Sequence, residues 1–137
     1  MSYQDILRAQ LAIDEGRRNQ MYVDSNGVQT IGIGHNLRDD PISDAAIDQI
    51  FADDLLPIEG QCRQLFPGFD ALSDARKAVL ANMMFNLGPT RFSGFFGFIS
   101  LVNSGLFDQA ADDMLTTLWA KQVGDRAVRL ALAMRDG

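Results

Sequence analysis

Strand-forming sequence is confined to one short stretch of this chain, and that constrains the fold more than any other feature. Residues 21–24 and 28–33 read as two strands, and the tripeptide Ser25-Asn26-Gly27 lies between them. Asn-Gly is a strong short-range hairpin signal, because both residues tolerate the backbone that a tight turn needs. On either side the apolar residues recur at helical spacing. Ser2 with Asp5 three residues on has the pattern of a capped helix start. Ile6, Leu7, Leu11 and Ile13 give that helix an apolar face, and Gly16 is placed to end it.

After residue 40 the pattern is helical throughout. Ser43 can cap a helix carrying Ile47, Ile50, Phe51, Leu55 and Ile58, in which Pro57 predicts a kink or an early end. Pro67-Gly68 marks a turn. Ser73 can cap a segment that runs to Leu87 and closes at Gly88-Pro89. Ala78, Val79, Leu80, Ala81, Met83, Met84, Phe85 and Leu87 make this segment apolar nearly all round, which suits the centre of a core. Residues 108–119 are amphipathic, and Asp125 can cap a last helix reaching Arg135. Strands segregated from helices in this way predict an α+β fold, with a small mixed lobe and a larger helical lobe.

The totals exclude several function classes. At 137 residues with 47% apolar content, one domain with a real core is expected without stapling. Cys62 is the only cysteine and His35 the only histidine, too few for a cysteine- or imidazole-based metal cage. Twelve basic against eighteen acidic residues leave a net charge of −6, which argues against a nucleic-acid binder. The same balance gives no long-range attraction to an anionic membrane or wall. The opening residues lack a basic start and an apolar signal core, so a chain with no means of its own of leaving the cytosol is expected. Stable membrane insertion is not expected, since the greasiest stretch, 92–102, is too short to span a bilayer. Phe92, Phe95, Phe96, Phe98 and Ile99 in that stretch are expected to wrap a core rather than to meet lipid, and Cys62 to be a buried spectator.

Two carboxylates stand out. Glu15 lies at the end of the first helix, where the backbone dipole presents its negative pole. With partial burial, that would destabilise a carboxylate and favour the protonated form that a general acid needs. Asp24 borders a polar turn and should stay ionised. If Ser25-Asn26-Gly27 is a three-residue loop, Asp24 faces Val28 and Thr30 is its diagonal neighbour on the same face. Val23, Ile31 and Ile33 then point to the opposite face and can enter the core. An acid, an ionised carboxylate and a hydroxyl suit glycoside cleavage. Spacing alone leaves open that Glu15 is an ordinary solvated residue and Asp24 ordinary turn chemistry.

The residues themselves go further. Ile13-Asp14-Glu15-Gly16, Tyr22, Asp24, Gly27 and Thr30-Ile31-Gly32-Ile33-Gly34-His35 resemble the active-site segment of the T-even phage lysozyme family. Downstream, Ala78, Asn82, Met83, Phe85 and Gly88 resemble the family's central helix, and Phe95, Asp108, Ala110-Ala111, Trp119, Arg126 and Arg129 also fall on family positions. The resemblance covers nearly the whole chain. It implies a lysozyme-like fold of two lobes with a cleft between them, the small lobe about 14–55 and the helical lobe about 56–137 together with the helix 3–13. It implies hydrolysis of the β-1,4 bond between N-acetylmuramic acid and N-acetylglucosamine in bacterial peptidoglycan, with inversion and without metal or organic cofactor. Glu15 would be the acid, and Asp24 and Thr30 would position water. His35, Asp54, Asn82, Arg126 and Gly34 would bind substrate or support the site, His35 through a salt bridge to Asp54 and Arg126 by reaching toward Asp14 or Glu15. The dipole and the arginine would act on Glu15 in opposite directions. A monomer is expected, released to the wall by a holin-type pore.

Four departures qualify this. The segment between His35 and Ser43 is shorter than in the family, Pro57 interrupts the helix joining the lobes, the chain stops soon after Arg135, and it is acidic where its relative is basic. The competing readings are a lytic transglycosylase, which uses one acid and no water, and an inactive wall-binding or phage structural module. Asp24 and Thr30 disfavour the first, and the intact carboxylate pair disfavours the second.

Overall fold

Ser2 opens the first helix as expected. Its hydroxyl accepts from the Asp5 amide while the Asp5 carboxylate accepts from the Ser2 amide and hydroxyl, a complete capping box. In the computed structural model, which describes residues 1–137, this helix is α1 (Tyr3–Asp14). It is followed by β1 (Arg18–Val23), β2 (Gln29–Gly32) and β3 (His35–Asn36), then by six further helices, α2 (Asp44–Leu65), α3 (Asp74–Ser93), α4 (Phe96–Asn103), α5 (Phe107–Leu115), α6 (Leu118–Val123) and α7 (Asp125–Asp136). The α+β class is as read from the sequence. The chain divides into two compact units, Met1–Ile50 and Phe51–Gly137.

In the first unit the strands form one antiparallel sheet in the order β1-β2-β3. The β1–β2 turn is the expected three-residue loop. The Gly27 amide reaches the Asp24 carbonyl at 3.0 Å and the Asp24 amide reaches the Val28 carbonyl at 2.9 Å. Gly27 has a φ of 79°, a left-handed backbone that a side chain would strain. Tyr22 pairs with Thr30 and Val23 with Gln29. Tyr22, Asp24, Val28 and Thr30 therefore share one face, as the register argument required. The side that is covered is the reverse of that expected. Val28 and Thr30 are 7% and 4% exposed, whereas Val23 is 60% exposed and Ile31 and Ile33 are half-buried. Alternation fixes which residues share a face, but not which of two mixed faces is covered. The polar run after Gly34 contributes the two-residue β3, in which Asn36 pairs with Thr30 and His35 with Ile31. No residue of α1 is buried within this arrangement.

The Ser43 hydroxyl accepts from the Ala46 amide and starts α2. The helix does not end at Pro57; it continues to Leu65. Pro57 removes one backbone donor, and the turns on both sides remain helical.

The second unit holds the main core. Ser73 caps α3 by accepting from the Arg76 amide. Its Val79, Leu80, Met83, Met84 and Leu87 are buried. The burial is not all round: Ala78, Asn82 and Phe85 form an exposed stripe. Gly88 breaks the helical backbone with φ 77° and ψ 162°, and Pro89 restarts it, so the regular helix closes at the expected Gly-Pro step. Phe66, Phe92 and Phe98 interlock with ring centroids 5.6–6.3 Å apart. The aromatic run therefore wraps the core, except Phe96, which is 79% exposed. Cys62 is fully buried beside these rings. Helix α7 packs against α5, α3 and α6. Its cap is Gly124, so Asp125 is the first helical residue rather than the cap. Arg76 ties down its far end by donating to the Met134 and Arg135 carbonyls at 2.8 and 2.9 Å. No helix is long and apolar enough to cross a membrane.

Candidate active site

The end of α1 delivers Glu15. It is the C-cap residue, and its amide donates to the Leu11 carbonyl at 2.8 Å. Gly16, with a φ of 80°, turns the chain into β1. The carboxylate thus stands at the negative end of the helix dipole, as expected. The expected partial burial is absent, because Glu15 is exposed. One side of it is nevertheless fixed. Gly34, in the β2–β3 turn with a φ of 69°, lies so close that a Cβ there would stand 3.3 Å from the Cβ, Cγ and Oε2 of Glu15.

Asp24 is half-buried at the mouth of the hairpin. Its Oδ1 accepts from the Asn26 amide at 2.8 Å and the Val28 amide at 2.9 Å. These bonds use one carboxylate oxygen to hold the turn and fix the direction of the other. The Thr30 hydroxyl donates to the Val28 carbonyl at 2.9 Å. With its only proton committed, that oxygen is left with acceptor capacity alone.

Some neighbours were not legible in the sequence. Arg38 bonds to Asp39 through Nε and Nη2, at 3.1 and 3.0 Å. Those bonds and the Asp39 charge hold its guanidinium above the usual arginine range, with a smaller contribution from the charge of Asp24. Asp39 is held below the usual carboxylate range by hydrogen bonds from Arg38 and Asn36. No sequence motif marks the Arg38–Asp39 pair.

The remaining candidates divide between the units. His35 lies on β3, and its Nε2 is 2.9 Å from the Asp40 carbonyl, closing the loop that follows. Asp54, Asn82 and Arg126 belong to the second unit. There Arg126 donates through Nε and Nη2 to the Asn82 Oδ1 at 3.0 and 2.6 Å. These two, with Phe51, Leu55, Ile58 and Phe85, line a mostly apolar depression of about 560 Å³. No cluster of three or more metal-ligating side chains is present.

The end of α1 and the small sheet thus place the carboxyl groups of Glu15 and Asp24 and the oriented Thr30 hydroxyl on one unit. The family model for phage lysozyme matches residues 12–135, and the chain belongs to the phage lysozyme family. It is therefore a glycoside hydrolase whose substrate class is peptidoglycan. Among its relatives is a probable T4-type lysozyme 2 of Dictyostelium discoideum, 27% identical and covering 96% of this chain and 94% of that protein. A probable T4-type lysozyme 1 of the same organism is 22% identical with the same coverage. The pre-baseplate central spike protein Gp5 of Enterobacteria phage T4 is 25% identical over the whole of this chain, which spans 28% of that protein.

Proposed function

We propose that the chain hydrolyses the β-1,4 bond between N-acetylmuramic acid and N-acetylglucosamine, with inversion at the anomeric carbon. Glu15 is the general acid and protonates the departing glycosidic oxygen. Asp24 and Thr30 hold the attacking water. Gly34, His35, Asp54, Asn82 and Arg126 complete the set as substrate-binding or supporting residues. The enzyme acts as a monomer without cofactor and meets the wall after release through a phage-encoded pore.

The observation that carries this reading is the hydrogen-bond direction at Thr30. Because the hydroxyl donates to the Val28 carbonyl, a water beside it must donate one proton to Oγ1. Its other proton is available to the Asp24 oxygen not used by the turn. Held by two acceptors, the water presents a lone pair as its remaining function, which is what attack on an anomeric carbon requires. As the bond forms, the carboxylate takes the proton that the water loses. Asp24→Asn would keep the shape but offer an NH2 donor to the water, so it should turn the water around.

The test is product analysis on purified walls. Hydrolysis with inversion gives new reducing ends that first appear in the α configuration, read by proton NMR early in the reaction. Products first appearing as β anomers would exclude inversion. Anhydro sugars in place of reducing ends would exclude the water-based mechanism altogether.

A further inference from the structure

We propose that Arg17 and Arg18 form a binding site for a carboxylate carried by the peptidoglycan strand, on the same unit as Glu15, Asp24 and Thr30. The site deepens the hydrolase reading and takes the identity of the strand from it.

Both arginines line a depression of about 320 Å³ with Asn19, Gly32 and Ile33. The first unit has four basic side chains, and two are already engaged: Arg8 with Asp5 and Arg38 with Asp39. Arg17 and Arg18 take part in no ion pair, although acids outnumber bases in the chain by eighteen to twelve. Two adjacent unpaired guanidiniums in an acidic protein are a local exception to its field.

Arg18 is also held in place. Its Cζ lies 4.9 Å from the centroid of the Tyr22 ring, a cation–π contact that restrains the side chain. The β1–β2 register is irregular between Arg18 and Tyr22, and such irregularities re-aim side chains. Opposite Arg18 stands Gly32, where an added Cβ would meet nothing within 4 Å. The depression is therefore open on that side. A planar fork of donors beside a second cation matches a carboxylate better than any neutral sugar group.

Its location ties it to the reacting region. The lining segments are those that flank the acid: Arg17 follows Glu15 by two residues, a span of at most about 7 Å, and Ile33 precedes Gly34, where an added Cβ would stand 3.3 Å from the Glu15 side chain. The sugars of the strand are uncharged amides and alcohols. Its carboxylates belong to the lactyl arm or to the peptide attached there. A strand lying against Glu15 would bring such a group within reach of the pair.

Isothermal titration of the Glu15→Gln protein separates binding from turnover. Three probes are used: a soluble peptide-bearing glycan fragment, the same fragment with its carboxylates amidated, and glycan stripped of peptide so that lactyl carboxylates are free. Adding Arg17→Gln and Arg18→Gln should weaken the carboxylate-bearing probe about tenfold and flatten its salt dependence. The amidated probe should bind both proteins equally. A loss confined to the peptide-bearing probe assigns the carboxylate to the peptide, and a loss with stripped glycan assigns it to the lactyl arm. Arg17→Lys with Arg18→Lys, which keeps charge without the fork, should bind at an intermediate level and checks that the fold is intact. Equal affinity of the parent and the double Gln protein for every probe, or no binding of any probe to the parent, overturns the proposal. Wild-type cleavage of the same fragment is scored separately, so a failure of the hydrolase reading shows as binding without reducing ends.

Discussion

Thr30 and Asp24 meet at one atom. The Thr30 hydroxyl and the Asp24 amide both donate to the carbonyl of Val28, each at 2.9 Å. The hairpin thereby sets the hydroxyl's direction and the carboxylate's position together. Thr30→Val tests what the hydroxyl is for. The Val28 carbonyl keeps the Asp24 amide as partner, so stability should change by no more than about 1 kcal/mol. Turnover should fall on the order of a hundredfold, because the water loses one of its two holders. Thr30→Ser should fall between, since the hydroxyl remains but loses the stiffness of a β-branched χ1. Thermal melts and reducing-end release check both; a Thr30→Val protein with normal turnover would remove the hydroxyl from the mechanism.

Gly34 should be intolerant of any side chain. A φ of 69° costs an alanine roughly 1–2 kcal/mol, and its Cβ would press on Glu15 at 3.3 Å. Gly34→Ala should therefore cost far more activity than stability. Gly27→Ala is the control: its φ is 79°, but nothing lies within 4 Å of the added Cβ. Comparable melting losses with activity lost only at Gly34 are expected. Equal losses of activity in both would mean that contact with Glu15 does not matter.

Trp119 is 2% exposed, and its indole N–H donates to the Asn86 side chain at 2.7 Å. Asn86→Leu leaves that donor without its partner. A loss of about 1–3 kcal/mol in denaturant unfolding is expected, with no change in reducing-end release at a temperature where the protein stays folded.

Burial pushes the Cys62 thiol up to about 11, with Arg63 opposing and Glu59 reinforcing the shift. The native thiol should resist labelling at pH 8 and react fully in denaturant. The folded state favours the protonated thiol, so this contribution to stability is complete below pH 9 and is lost as pH rises from 9 to about 11. Cys62→Ala should flatten that alkaline decline. An unchanged decline would assign it to other groups.

The local signals of the chain were legible where one residue decides the outcome. Ser2, Ser43 and Ser73 cap helices as read, Gly27 closes the hairpin, and Gly88 ends the central helix. That Asp24 and Thr30 share one face of the hairpin follows from loop length alone. What failed depends on the surroundings of an element. Alternation could not say which face of the sheet would be covered, so Val23 was placed inside and lies outside. Helix position locates Glu15 at the end of α1 but does not show that it is exposed there, with Gly34 close enough for an added Cβ to stand 3.3 Å away. The two-residue β3 is too short to leave a periodic pattern. Of the two outcomes open at Pro57, a kink or an early end, the early end does not occur, since α2 continues to Leu65.

The account turns on Glu15 as the proton donor. Reducing-end release from purified walls by wild type and Glu15→Gln, with melting curves showing that both are folded, tests it most directly. The amide cannot protonate the leaving oxygen, and a loss on the order of 10² to 10⁴-fold is expected with the fold unchanged. Release by a folded Glu15→Gln protein at the wild-type rate would contradict it.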